Sequence, residues 1–236
     1  MQFSCNATLL HSSKGSENRS ITMFLKDDDQ KLIRKELEAM TAKVKILHFT
    51  QSIECSYCRE TRQLLEELVL LSDKLSLEVY NFQLDRNEVS KYKIDKIPAT
   101  ILLPESGIDP GVRFFGIPSG YEFMSVIEDI IDLSNSNHGF SDDILAEIKK
   151  IHRPVHIEVY VTPTCPYCPS AVRTAHRLAM ANPNITGDMI EATEFPHLAQ
   201  KYSVRGVPKS IINETSSLEG AVPEQKFLDK IAEVLA

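Results

Sequence analysis

The chain has no tryptophan at all, and only 9 glycines and 5 cysteines among its 236 residues. Five cysteines are too few to staple a secreted disulfide scaffold. No apolar run approaches the roughly 20 residues that cross a bilayer, which excludes a membrane-spanning helix. Basic residues are short as well: 26 Lys and Arg stand against 33 Asp and Glu, a net charge of −7. That balance argues against a nucleic-acid binder. There is no Gly-x-Gly-x-x-Gly and no phosphate-binding P-loop, so no dinucleotide or nucleoside triphosphate is held by those motifs. The seven histidines show no ligand spacing, and neither a metal nor a cofactor is expected. Residues 1–20 lack a basic residue before Lys14 and lack an apolar core, unlike a secretory signal. A cytoplasmic protein is expected, with residues 1–22 a flexible tail, Met23 a candidate start and Cys5 a lone thiol without a role.

What the chain does hold is 42% hydrophobic residues spread along its length and 25% charged ones, the balance of one large globular domain or two smaller ones. Four of the five cysteines form two Cys-x-x-Cys pairs, Cys55/Cys58 and Cys165/Cys168, whose first members lie 110 residues apart. Each pair is followed, 43 residues after its first cysteine, by a proline behind a β-branched residue: Ile97-Pro98 and Val207-Pro208. Lys91-Tyr92 and Lys201-Tyr202 repeat at the same offset, and Gly116…Phe123 and Gly220…Phe227 keep a common spacing. The chain therefore contains one unit twice. The polar run 135–139, NSNHG, marks the boundary, giving units over 23–136 and 137–236.

Periodicity predicts the same order of elements in each copy. In the first these are a helix over 27–41, a strand over 44–50, a helix from Ser56, a strand over 77–84, a helix over 86–92, strands over 100–103 and 112–115, and a helix over 120–133. In the second they are a helix over 142–151, a strand over 155–161, a helix from Pro166, a strand over 189–191, a helix over 195–202, strands over 209–213 and 217–219, and a helix over 224–235. The fold class is α/β, a mixed sheet covered on both faces.

Each cysteine pair follows a buried strand and opens a helix. Residues three apart on a first turn bring their Cα atoms to about 5–6 Å, inside the window a disulfide needs. The first cysteine lies nearest the unpaired N–H groups of the helix start, where a thiolate is stabilised. Cys55 and Cys165 are thus the candidate nucleophiles, and Cys58 and Cys168 the resolving thiols. Two alternatives compete with this reading. A four-thiolate zinc site usually separates its pairs by ~12–20 residues, whereas here each pair sits in its own repeat. Two quiet core pairs would not need to recur at one point of a repeat. The peptide before each proline, if cis, would present the backbone of Ile97 and Val207 to an extended substrate segment.

These residues resemble the thioredoxin superfamily, and Cys165-Pro166-Tyr167-Cys168 is similar to the glutaredoxin pattern. Two such units with both pairs intact resemble the glutaredoxin-like protein disulfide oxidoreductases. The resemblance implies tandem thioredoxin-like units, each a mixed four-stranded sheet flanked by helices with an extra N-terminal helix, the two sheets continuous. It implies disulfide reduction, oxidation or isomerisation on disulfide-containing protein substrates. It implies a thioredoxin-reductase-type flavoenzyme as electron donor. Alternatives are an electron relay to a peroxiredoxin, and a chaperone-like module binding unfolded chains. The segments Phe115-Gly116-Ile117-Pro118 and Glu219-Gly220-Ala221-Val222 lack the Gly-Gly of a glutathione site. A buried acid on the strand before the motif has no clear counterpart; His48 and Glu158 lie on those strands, with a surface or packing role expected for both. Ser56 and Tyr57 in the first pair, and Pro166 and Tyr167 in the second, are expected to tune the sites. Glu54 and Glu60 flank Cys55, whereas Thr164 precedes Cys165, so Cys165 is expected to be the more acidic thiol and its centre the stronger oxidant.

Overall fold

The structure, a computed structural model, describes residues 23–236; the expectations for residues 1–22 and Cys5 lie outside them. The elements are α1 (Asp27–Leu37), β1 (Val44–Thr50), α2 (Cys58–Val69), β2 (Leu75–Asn81), α3 (Arg86–Lys91), β3 (Ala99–Pro104), β4 (Val112–Phe115) and α4 (Glu122–Ser134). They recur as α5 (Asp142–Ile148), β5 (Val155–Val161), α6 (Cys168–Ala181), β6 (Ile185–Glu191), α7 (Pro196–Lys201), β7 (Lys209–Ile212), β8 (Ser216–Glu219) and α8 (Glu224–Leu235). Type and order agree with the periodicity; several bounds do not. β2 runs over 75–81 and not 77–84, because the Asn81 side chain accepts from Gln83 N and Leu84 N at 2.9 and 3.0 Å and turns the chain there. β6 begins at Ile185, ahead of the expected 189. Gly187 interrupts its apolar pattern, and it is needed there: a Cβ would lie 2.8 Å from the Ala175 carbonyl oxygen of α6. α2 and α6 start at the second cysteine of each pair, two residues later than expected, and α1 and α5 end before 41 and 151.

All eight strands form one mixed sheet in the order β2-β1-β3-β4-β6-β5-β7-β8. Within each half the first two strands pair in parallel and the others antiparallel. The halves join where β4 runs parallel to β6, from Val112 beside Gly187 to Phe115 beside Ile190. The join is head to tail: the last-strand edge of the first half meets the second-strand edge of the second. β2 and β8 remain as outer edges. Alternate strand residues feed two cores, as a period of two requires. Val44, Ile46, Val155 and Ile157 pack under α1, α2, α4, α5, α6 and α8. Leu47, Phe49, Tyr160 and Ile190 pack with residues of α3 and of the turn into α7.

The repeat is irregular just before the cysteines. β2 and β6, like α3 and α7, recur at the spacing of the cysteines, but β1 and β5 begin at 44 and 155, one residue farther apart. The extra residue lies in the loop 51–54, against 162–164 in the second half. Glu54, at its end, takes a left-handed φ of 57°. Strand register therefore matches His48 with Val159 and not with Glu158. His48 faces α2, whereas Glu158 shares the opposite face with Tyr160.

The halves also meet through helices. α4 lies on α6 through a buried polar set: Arg173 pairs with Glu128 at 3.0 Å and with Asp129 and Asp132, and His176 Nδ1 lies 2.6 Å from Asp129. Arg177 adds a contact to Asp132 at 3.1 Å. Removing one partner of such a set typically costs about 3–5 kcal/mol, because a charge is left buried and unpaired.

Candidate redox centres

Both cysteine pairs are disulfide-bonded, each with its Cα atoms 5.5 Å apart. The first cysteine of each precedes the helix, and Tyr57 or Tyr167 stands at the cap. In α2 the first backbone bond of the helix runs from Thr61 N to Tyr57 O at 2.9 Å. The N–H groups of Cys58, Arg59 and Glu60 thus precede the ladder, at the positive end of the helix. In α6, Pro169 occupies the first turn and removes one such donor. Cys58 and Cys168 are buried at 1% and 0% exposure, so the outer member of each pair is Cys55 or Cys165.

The two X-Pro positions lie where the repeat places them. Ile97-Pro98 and Val207-Pro208 are cis peptides. In the second centre Cys165 Sγ lies 3.6 Å from the Val207 carbonyl oxygen. Each proline loop is tied to the loop after the following strand pair: Gly116 N donates to Pro98 O at 2.9 Å, and Gly220 N donates to Pro208 O at 2.8 Å. The bond between proline loop and glycine loop thus recurs in both halves, and in the second the pair also meets the X-Pro backbone. Ser56 and Tyr57, and Pro166 and Tyr167, lie between the cysteines, with Tyr167 70% exposed.

Two buried ionisable groups, His48 and Glu122, and the half-buried Glu194 stand near these loops. His48, fully buried, has Nδ1 3.2 Å from Ala99 O, and its Nε2 has no hydrogen-bond partner among the described residues. Burial above all lowers its pKa to about 4, against the Cys58 and Ala99 backbone, so the imidazole is neutral at pH 7. A surface role for it is thereby excluded. Glu158 is buried too, but on the sheet face away from α6.

Glu122 lies outside every motif of the sequence. It is 1% exposed, accepts from Ser125 Oγ at 2.8 Å, and leaves Oε1 unpartnered. Burial pushes its carboxyl up to about 7. Contacts 128–173, 129–176 and 132–177 show α4 running parallel to α6, so Glu122, six residues before Glu128, lies toward the start of α6. The loop before α4 touches the same place: Tyr121 N donates to Pro163 O at 3.1 Å, and at Gly120, φ +64°, a Cβ would collide with that oxygen. The signal available in the sequence was a polar stripe, 122, 125, 129 and 132, at helical spacing on an otherwise apolar helix. Glu194, the third group, reaches the first groove from the second half of the chain.

Among the described residues no cluster of three or more His, Cys, Asp or Glu gathers as a metal site, and no helix is long and apolar enough to cross a membrane.

Residues 155–233 match the family model described as a thioredoxin domain. The chain is 32% identical to a protein disulfide oxidoreductase of Aeropyrum pernix, covering 89% of this chain and 93% of that one with a TM-score of 0.83. Against the structure of the alkyl hydroperoxide reductase component AhpF from Enterococcus faecalis the values are 25% identity, 87% and 98% coverage and a TM-score of 0.81. The corresponding alkyl hydroperoxide reductase component of Staphylococcus aureus is 28% identical over 208 residues, and a Bacillus subtilis protein named NADH dehydrogenase is 27% identical over 168. The chain spans 38% and 30% of the length of these two curated relatives. Two fused thioredoxin-type units, each with a Cys-x-x-Cys beside an X-Pro loop, and the extent of the Aeropyrum match place the chain in the protein disulfide oxidoreductase family of the thioredoxin superfamily.

Proposed function

We propose that this chain catalyses thiol–disulfide exchange on protein substrates at two centres, one in each of the units 23–136 and 137–236. The observation that carries this reading is the recurrence in both halves of a disulfide-bonded pair before a helix, a cis X-Pro peptide and the glycine-loop bond to that proline. Cys55 and Cys165 are the nucleophiles. A thiolate of either attacks a substrate disulfide sulfur, the S–S bond breaks, and one substrate sulfur leaves as thiolate. Cys58 or Cys168 then attacks the mixed disulfide and releases the second substrate thiolate. The substrate has gained two electrons and the pair has lost them. An external dithiol reductant restores the pair; a thioredoxin-reductase-type flavoenzyme in the cytoplasm fits this role.

Ile97-Pro98 and Val207-Pro208 serve as the backbone edge to which an extended substrate segment docks. At the second centre Glu122 takes the proton of Cys168 as that thiol attacks. A carboxyl whose pKa lies near 7 suits proton transfer at neutral pH. A relay to a peroxiredoxin is the second reading, favoured by the likeness to the alkyl hydroperoxide reductase component over most of the chain.

The test is insulin reduction and reactivation of scrambled ribonuclease by wild type, Cys55/Cys58→Ser and Cys165/Cys168→Ser. Each double variant is expected to abolish turnover at its own centre and leave the other working. Reactivation that survives loss of all four thiols would make the protein a chaperone-like binder. Turnover confined to one peroxidase, with insulin untouched, would make it a relay.

A further inference from the structure

The turn after β6, in the second half, reaches across the seam to the first centre. The Glu191 carboxylate accepts from Thr193 Oγ1 at 2.6 Å and from Glu194 N at 2.7 Å, which fixes the turn. Glu194 Oε1 then accepts from Ile117 N at 2.6 Å. Gly116, the residue before, has φ +89°, and a Cβ there would lie 2.6 Å from Glu191 Cβ and 2.7 Å from Glu194 Oε1. Gly116 N in turn donates to Pro98 O at 2.9 Å. A continuous path of contacts thus runs from a carboxylate of the second half, through residues 116–117, to the proline loop of the first centre. Burial, with Glu191 and Glu60 facing it, pushes the Glu194 carboxyl up to about 7, against the bond from Ile117 N.

Among the described residues the second centre has no such brace. Gly220 makes the same bond to Pro208, yet nothing stands within 4 Å of where its Cβ would be. The repeat counterpart of Glu194 is Leu84, 80% exposed. Among the described residues the brace therefore exists only where the two halves meet.

We propose that Glu194 is a positioning residue for the first centre, holding residues 116–117 and through them the Pro98 carbonyl in the geometry that docks a protein substrate at Cys55. The inference rests on the redox reading of that centre. The experiment uses the full chain with Cys165/Cys168→Ser, so that only the first pair turns over. Glu194→Leu is expected to raise KM for insulin about tenfold, the worth of one charge-assisted hydrogen bond, with kcat nearly unchanged. Glu194→Gln, which keeps an oxygen acceptor, restores most of the loss. Reaction of Cys55 with a small aromatic disulfide, which needs no docking, stays at the wild-type rate. The same two substitutions in the Cys55/Cys58→Ser chain leave the second centre unchanged.

Cys55 reactive towards the small disulfide but with an unaltered KM for insulin overturns the brace alone. An equal rise in KM at both centres overturns it in favour of general destabilisation. Cys55 inert towards both substrates overturns the redox reading of the centre and the brace with it.

Discussion

At the first centre Cys55 leaves a loop lengthened by one residue, with Ile53 75% and Leu84 80% exposed at its flanks. At the second, Cys165 is 8% exposed, the loop is shorter, and the equivalents of those flanks, Pro163 and Glu194, are both engaged with residues 116–121 of the first half. The motif is common to the two; the neighbours are not. In a head-to-tail pair of sheets one copy presents its last-strand edge to the seam and the other its second-strand edge. The seam thus covers the loop before the second pair, and ties a carboxylate of the second half to the loop beside the first, whose own rim stays open and apolar. Equivalent sequences become unequal sites because only one of each unit's two edges is buried by its twin.

Substitution at the matched glycines tests whether the seam makes this difference. Gly116 and Gly220 have φ of +89° and +81°, and alanine at either costs roughly 1–2 kcal/mol for the left-handed backbone. At 116 the new Cβ also meets Glu191 and Glu194, and such overpacking typically adds about 1–3 kcal/mol. Gly116→Ala is therefore expected to destabilise by about 3 kcal/mol and Gly220→Ala by about 1 kcal/mol, measured by denaturant unfolding. Equal losses would mean that the seam does not grip the 116–117 loop.

Glu122 offers a comparably large effect with a defined pH signature. Its folded pKa, about 7, lies above the ordinary 4.5, so the folded chain binds the proton more tightly than the unfolded one. The stability this carries is fully present below pH 4.5 and is lost as pH rises through 7, by up to about 3 kcal/mol. Glu122→Gln should accordingly be more stable than wild type at pH 8 and nearly equal to it at pH 4. It should also slow release of the mixed disulfide at Cys165 while leaving Cys55 chemistry unchanged. The repeat counterpart of Glu122 is Lys226, so no matching variant exists at the first centre. A pH-independent difference between variant and wild type would remove Glu122 from the proton path.

How much of this was legible before the fold is clear from particular residues. The cysteine and proline spacings located both grooves, because a helix start and a strand start recur at fixed chain distances. The order of elements along each half was legible from apolar periodicity; their order in the sheet was not. What a repeat cannot display is the contact between its copies: Glu194 accepts from Ile117 N of the other half, Glu122 sits on the helix that packs against α6, and no spacing within a unit points to either. The inserted residue in 51–54 was also masked, since aligning on the cysteines silently shifts β1 against β5. His48 and Glu158, 110 residues apart, therefore do not occupy equivalent places: one lies under α2 and the other on the opposite face.

The smallest expected effect concerns the relative acidity of the outer thiols. Glu54 and Glu60 lie near Cys55 in sequence, and the fold brings Glu194 towards Glu60 from the other half. Carboxylates at a helix N-terminus oppose a thiolate there. Pro169 takes one N–H donor from α6, and the Val207 carbonyl faces Cys165; both oppose a thiolate at the second centre. Full charges outweigh single dipoles in a partly solvated groove, so Cys165 is expected to keep the higher thiolate fraction, by no more than about fivefold. A stabilised thiolate favours the reduced pair, making the second disulfide the stronger oxidant by less than about 30 mV. Alkylation rates against pH, measured with one pair at a time replaced by serine, resolve the order. A higher thiolate fraction at Cys55 would show that burial and the Val207 carbonyl, not the carboxylates, set the acidity of the outer thiols.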